Sequence, residues 1–270
     1  MNFIEKLEKA VHKNNSLLCV GLDIDKEMMP SFLFKESEDP YFDFNKSIID
    51  STKDLVCAYK LNLAFYEVIG KYGFELLEKT INYLPNNVVI ILDGKRNDIG
   101  NTAKKYAEML YDTFNADAIT VNPYLGSDGI LPFLEYEDKC SFILCRTSNP
   151  SASDFQDIAA SNMSLYQLVA KKIKEWNKIS SCGAVVGATY PEELKNIRKI
   201  LGDNIPILIP GVGKQGGNVE KTIKFGTNIN AELAIINSSR GIIYAGNNNN
   251  FAEESRKKAQ FLKNEINKYR

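Results

Sequence analysis

The chain has 270 residues, 44% of them hydrophobic and 25% charged, with a formal net charge of −1 and a pI near 6.0. That is ample apolar sequence for a large core. The charge balance offers no basic field for nucleic acid and no like-charge tail. The opening MNFIEKLEKA is amphipathic with charges throughout, unlike the apolar centre of a signal peptide. No apolar stretch approaches the roughly 18 residues a membrane-spanning helix needs. Five cysteines, Cys19, Cys57, Cys140, Cys145 and Cys182, show no C-x-x-C spacing. Most sit in strand-like runs and are expected to be reduced core residues of a cytoplasmic protein, with no metal site.

In chain order, LLCVGLD (17–23) reads as a first strand, followed by a longer connection over 25–45. CAYKLNLAF (57–65) is a second strand, and EVIGKYGFELLEKTINYL (67–84) a helix. VVIILDGK (88–95) is a third strand, IGNTAKKYAEMLYDTF (99–114) a helix and DAITVNPY (117–124) a fourth strand. CSFILCRT (140–147) is followed by the helix SLYQLVAKKIKEWNKI (164–179). GAVVGAT (183–189) precedes YPEELKNIRKIL (190–201), whose proline near the first turn suits a helix start. IPILIPGVG (205–213) and LAIINSSRG (233–241) complete the strands. NNNN (247–250) is a loop, and FAEESRKKAQFLKNEINKY (251–269) is a closing helix. Runs apolar on both faces suit parallel strands covered by helices. Eight strand–helix units without a linker predict an α/β protein, a single (β/α)8 TIM barrel over 1–270. The fold alone says little about chemistry.

In such barrels the reactive residues lie where strands end and the following loops begin. The unusual polar residues fall there: Asp23 after strand one, Lys60 and Asn62 in strand two, Asp93 and Lys95 ending strand three, and Asn122 ending strand four. Thr147 and Ser148 follow strand five, Gly211 and Gly213 strand seven, and Ser239, Arg240 and Gly241 strand eight. Side chains two apart on a strand share a face, so Lys60 points with Asn62 and Asp93 with Lys95. Asp93 can then hold Lys95 by charge-assisted contact. Plainer roles exist for each: an N-cap for Asp98, a structural ion pair for Asp93 and Lys95, a snorkelling stem for Lys60 and a turn for Asp23.

PGVGKQGG (210–217) contains G-x-G-x-x-G at Gly211, Gly213 and Gly216. It does not read as a dinucleotide fingerprint, because it follows the seventh strand of eight and the acidic residue about 20 positions on, Glu232, stands before the next strand rather than at its end. The glycines suit backbone N–H groups close to an anion, and barrels often bind phosphate with the loops after strands seven and eight. SSRG supplies the second loop with Arg240 as a forked donor, and Gln215 could bond phosphate or a nearby ring. Two tight turns and a surface arginine are the plainer alternative. A phosphate monoester is the expected handle of a ligand.

LDGKRNDIGNTA resembles the signature of the orotidine 5′-phosphate decarboxylases, and GLDID, YKLNLAFYE, RTSNP, PGVGKQGG and SSRGIIYA match that family's pattern in order. The D-x-K-x-x-D-I-x-x-T arrangement from Asp93 to Thr102 is the specific part; the longer loop after strand one and RTSNP look like the larger, second type of the family. The resemblance implies that Asp23 and Lys60 bind ribose hydroxyls, that Asp93 faces the substrate carboxylate and that Lys95 protonates C6 of the pyrimidine. It implies that Ser148 contacts the ring, that Gln215 and Arg240 hold the phosphate, and that the protein is a homodimer in which Asp98 and Thr102 reach the partner's site. Neither a metal nor an organic cofactor is implied.

Three other readings compete. Magnesium-dependent phosphate-binding barrels share Asp-x-Lys-x-x-Asp but carry a carboxylate at the end of strand two, where this chain has Lys60. A Schiff-base aldolase needs its lysine poised toward neutral, and flanking carboxylates push the other way. A non-catalytic nucleotide-binding protein would bind without releasing carbon dioxide. His12, the single histidine, lies in the first helix and reads as a surface residue rather than a base.

Overall fold

The computed structural model describes residues 1–160, 162–178, 181–212 and 218–270. Eight strands close into a parallel barrel: β1 (Leu18–Gly21), β2 (Ala58–Asn62), β3 (Val89–Arg96), β4 (Ala118–Val121), β5 (Cys140–Arg146), β6 (Ser181–Val186), β7 (Ile207–Pro210) and β8 (Ala234–Ser238). Each pairs with its sequence neighbours, and β1 closes on β8 through Leu18–Ile236 and Val20–Ser238. The strands are buried nearly throughout, as apolar runs covered by helices must be.

Helix α1 (Phe3–Asn14) starts at a capping box, with Asn2 accepting from the Glu5 N–H and Glu5 reaching back to Asn2. It lies across the N-terminal ends of the strands. Lys6 pairs with Asp117 ahead of β4 at 2.6 Å, Asn14 donates to the Val56 carbonyl ahead of β2, and Phe3 packs edge-on against Phe142 of β5. That end of the barrel is closed, so the open mouth is at the C-terminal ends of the strands.

The connection expected over 25–45 contains structure that the sequence reading passed over. After a short turn of helix, α2 (Pro40–Thr52) begins with Pro40 at its first turn and Asp39 capping Phe42. It buries Phe44, Ile48 and Ile49 against the core. The strand expected over 57–65 ends at Asn62, where Asn62 caps a short helix, Leu63–Glu67, and the helix expected over 67–84 begins only after Gly70, which takes φ 69°, as α3 (Lys71–Tyr83). The helix expected over 99–114 begins as α4 (Gly100–Ala107) and widens into a π-helical turn, Glu108–Thr113. Helices α5 (Leu165–Trp176), α6 (Pro191–Leu201), α7 (Val219–Gly226) and α8 (Phe251–Asn267) complete the outer layer. The long loop after β5 adds a small antiparallel pairing of Ala159–Ala160 with Met163–Ser164.

Candidate active site

Strand β2 delivers Lys60 to the barrel interior, where its side chain is almost wholly buried. An ammonium there is costly unless paired. It is paired twice: 3.0 Å to Asp93 Oδ2 and 3.6 Å to Asp23 Oδ1. Asp93, directly across from Asn62 in the β2–β3 register, also receives Lys95 Nζ at 2.8 Å and the Thr120 hydroxyl at 2.7 Å, both on Oδ1. The result is an alternating chain, Asp23–Lys60–Asp93–Lys95, running from the interior to the mouth. Lys95 at its end keeps 47% of its side chain exposed.

Burial alone would push the Asp93 carboxyl up, but Lys60 and Lys95, with the Lys95 and Thr120 hydrogen bonds, hold it below the usual carboxylate range. For Lys60, burial opposes the charged form, and Asp93 and Asp23 reverse that and hold the amine above its ordinary value. Both groups are therefore ionised across the physiological range.

Asp23 is set by β8. The Ser239 hydroxyl bonds Asp23 Oδ2, and the Tyr244 hydroxyl donates to the Asp23 carbonyl at 2.8 Å while accepting the Asp25 N–H at 2.6 Å. Asp23 Oδ1 is buried and makes no hydrogen bond among the described residues. At the cavity wall, with the Lys60 ammonium 3.6 Å away, it can still accept a hydrogen bond from a ligand.

The cavity around this chain measures about 470 Å³. Of the residues expected from the sequence, it is lined by Asp23, Lys60, Asn62, Asp93, Lys95, Thr147, Ser148, Gly211, Ser239, Arg240 and Gly241. Ser148 approaches β6 so closely that a Cβ on Gly187 would lie 2.7 Å from the Ser148 Cα. Gly211 takes φ 97°, a conformation side chains rarely adopt. Arg240 is exposed at the cavity mouth and forms no ion pair among the described residues. Gly213 and Gln215 lie outside the described residues.

Three expected residues stand apart. Asn122 does not line the cavity; β4 ends at Val121, and the Asn122 side chain turns to accept the Tyr124 N–H at 3.1 Å. Asp98 does not flank Lys95 within the chain: its carboxylate accepts the Ile99 N–H at 2.8 Å, ahead of a helix that starts without a side-chain cap. Thr102 is exposed on α4. Both lie outside the cavity that their own chain encloses.

Sequence reasoning missed several lining residues. Thr120 is buried in β4, and its signal was a hydroxyl inside an otherwise aliphatic run. Gln156 belongs to the loop after β5. Its Oε1 accepts the Thr147 N–H at 2.8 Å and its Nε2 donates to the Thr147 hydroxyl at 2.9 Å. Arg146 anchors the same loop, with Nη2 3.0 Å from Asp157 and its guanidinium 3.8 Å from the Tyr190 ring centre. Among the described residues no group of three or more His, Cys, Asp or Glu side chains could hold a metal ion.

A closed (β/α)8 barrel with charges gathered at the C-terminal ends of its strands defines a class, the barrel enzymes whose sites are built from strand termini and loops. The particular family follows from comparison. Residues 16–255 match the Orotidine 5'-phosphate decarboxylase / HUMPS family. An orotidine 5'-phosphate decarboxylase of Dehalococcoides mccartyi (strain BAV1) is 47% identical over 274 aligned residues, covering 100% of this chain and 99% of that protein. The Cellvibrio japonicus decarboxylase is also 47% identical, over 99% of this chain and 98% of its own. The solved Leishmania donovani OMP decarboxylase superposes with a TM-score of 0.87 at 33% identity, covering 100% of this chain and 99% of that one. The chain belongs to the orotidine 5′-phosphate decarboxylase / HUMPS family.

Proposed function

We propose that the chain is a carboxy-lyase that converts orotidine 5′-phosphate to uridine 5′-monophosphate and carbon dioxide, the last step of UMP biosynthesis, with Lys95 as the proton donor. The reaction rests on full-length similarity to decarboxylases. The observation that carries the mechanism is the Lys95 ammonium, 2.8 Å from Asp93 at the cavity mouth.

Loss of carbon dioxide from C6 leaves an electron pair in the plane of the ring, where the π system cannot delocalise it directly. The barrier must be lowered by positioning and fixed charge. Asp93 faces the carboxylate that leaves, a like-charge contact relieved as carbon dioxide departs. Lys95 steadies the developing carbanion and then protonates C6. Ser148 donates to the ring, drawing charge onto its carbonyl. The buried Asp23 Oδ1, which makes no hydrogen bond among the described residues, accepts a ribose hydroxyl, with the Lys60 ammonium 3.6 Å from it. Arg240, helped by Gly211, Gly213, Gln215, Ser239 and Gly241, holds the phosphate. That remote grip supplies binding energy to fix the ring against Lys95.

The protein acts as a homodimer in which Asp98 and Thr102 complete the partner's site. Their position outside their own chain's cavity supports this, as do the exposed apolar side chains nearby, Ile99, Tyr124, Leu125 and Leu131. Five buried, unpaired cysteines suit a reducing cytoplasm. Among the described residues, no helix is long and apolar enough to cross a membrane.

Fixed charges of the chain supply each step, so the reaction is read as cofactor-independent. The test is purified protein with orotidine 5′-phosphate, following loss of absorbance with and without chelator. Turnover unaffected by chelator is expected. Turnover lost with chelator would favour the magnesium-dependent barrels, and binding without carbon dioxide release would refute the enzyme.

A further inference from the structure

Strand β3 leaves regular geometry at the residue the mechanism depends on. Its pairing with β4 shifts between Leu92 and Arg96, and Lys95 takes φ 45°. A lysine in the left-handed region is strained and persists only when its surroundings over-determine it. A bulged residue also loses its ladder partner, so the Lys95 N–H needs another acceptor.

Thr120 meets both needs with one hydroxyl. Its Oγ1 accepts the Lys95 N–H at 2.9 Å and donates its single proton to Asp93 Oδ1 at 2.7 Å. That same Oδ1 receives Lys95 Nζ at 2.8 Å, leaving Oδ2 to Lys60 at 3.0 Å. Thr120 is therefore tied to the backbone of Lys95 and to the carboxylate that holds its amine. With Thr120 on the neighbouring strand and 1% exposed, the arrangement is locked from outside β3.

We propose that Thr120 is a positioning residue for decarboxylation: its hydroxyl fixes the bulged backbone of Lys95 and the rotation of Asp93, and so sets where the Lys95 ammonium meets the ring. The inference rests on the role given to Lys95 above. Thr120 need not touch the reacting atoms, and its effect falls on turnover rather than on nucleotide affinity. Without the hydroxyl, the Lys95 backbone is free to relax toward the extended region and Asp93 to turn, moving Nζ.

The experiment compares Thr120→Val, which keeps the shape and deletes the hydroxyl, with Thr120→Ser, which keeps the hydroxyl. Both are read as kcat and KM per site able to bind UMP, so that unfolded protein does not enter. For Thr120→Val we expect kcat to fall about 10- to 100-fold, the scale of losing a hydrogen bond to a charged group. KM and UMP affinity should stay within about threefold, and Thr120→Ser should recover most of kcat. Parental kcat in Thr120→Val, a rise in KM with kcat unchanged, or a serine variant as impaired as the valine one would each overturn the proposal. Should Thr120→Val not fold, Thr120→Cys replaces it, with a weak donor and acceptor of similar volume and a smaller loss of kcat expected. Lys95→Ala belongs in the series. If it turns over normally, the reading of the whole site fails. If it is inactive while Thr120→Val matches the parent, only the inference about Thr120 fails.

Discussion

Lys60→Met removes the cation at the centre of the ion-pair chain while keeping most of the stem's packing. Lys60 is 4% exposed and lies 3.0 Å from one carboxylate and 3.6 Å from another. Its loss leaves Asp93 buried, with Lys95 as its remaining cation. Breaking a buried pair by deleting one partner costs roughly 3–5 kcal/mol. For a chain of this size, at about 2–4 °C per kcal/mol, the melting temperature should fall by about 6–20 °C. The loss should depend on pH with a definite sign. Asp93 has a folded pKa held below its unfolded value, so its contribution is present above the usual carboxylate pKa of about 4 and fades as pH falls through the folded value. Lys60 has a folded pKa held above its unfolded value, so its contribution is complete below about 10.4 and fades only as pH rises through the folded value. The difference between parent and variant should therefore be largest between about pH 5 and 10. It should narrow in acid, where the stranded Asp93 takes up a proton. Urea unfolding of both proteins across that range measures it. A difference under about 1 kcal/mol at pH 7, or one that stays flat to the acid limit, would refute the electrostatic account of this core.

Two further outcomes test the remaining parts of the site. Arg240→Ala should weaken UMP binding by at least about 100-fold, the scale of losing a forked charge-assisted contact, while uridine, which lacks the phosphate, binds as before; unchanged UMP affinity would mean the anion site is misplaced. Lys95→Ala and Asp98→Ala should each be inactive alone. Mixed and allowed to exchange subunits, they should recover about a quarter of parental activity, because half the dimers are then mixed and each carries one intact site. No recovery would place Asp98 in its own chain's site or in none.

The barrel was legible because each parallel strand is an aliphatic run buried on both faces. The site was legible because charge and glycine interrupt those runs at one end. Period-two reasoning brought Lys60 together with Asn62 and Asp93 with Lys95, although the second pair meets through a left-handed bulge rather than simple alternation. Placing reactive residues at strand ends singled out Asn122 and left Thr120, inside the strand, unmarked. A polar residue just past a strand end is as free to cap the next turn as to face a cavity, and Asn122 caps Tyr124. Asp98 shows another limit: its place at a strand-to-helix turn suits an N-cap, but its carboxylate bonds the Ile99 N–H and the helix from Gly100 starts without a side-chain cap. Helix α2 is hard to tell from a connection by pattern, because its amphipathic stretch follows a polar segment. Asp39 and Pro40, a cap followed by a first-turn proline, were the available signal. The Arg146–Asp157 and Gln156–Thr147 contacts join residues on opposite sides of a loop, and no local pattern announces them.

The most direct test of the account is a single variant, Lys95→Ala, measured for turnover of orotidine 5′-phosphate and for UMP affinity. The account predicts a fall in kcat of at least about 1,000-fold, as expected when the proton donor and the cation beside the carbanion are removed together, with UMP still bound measurably. Turnover near that of the parent would contradict it.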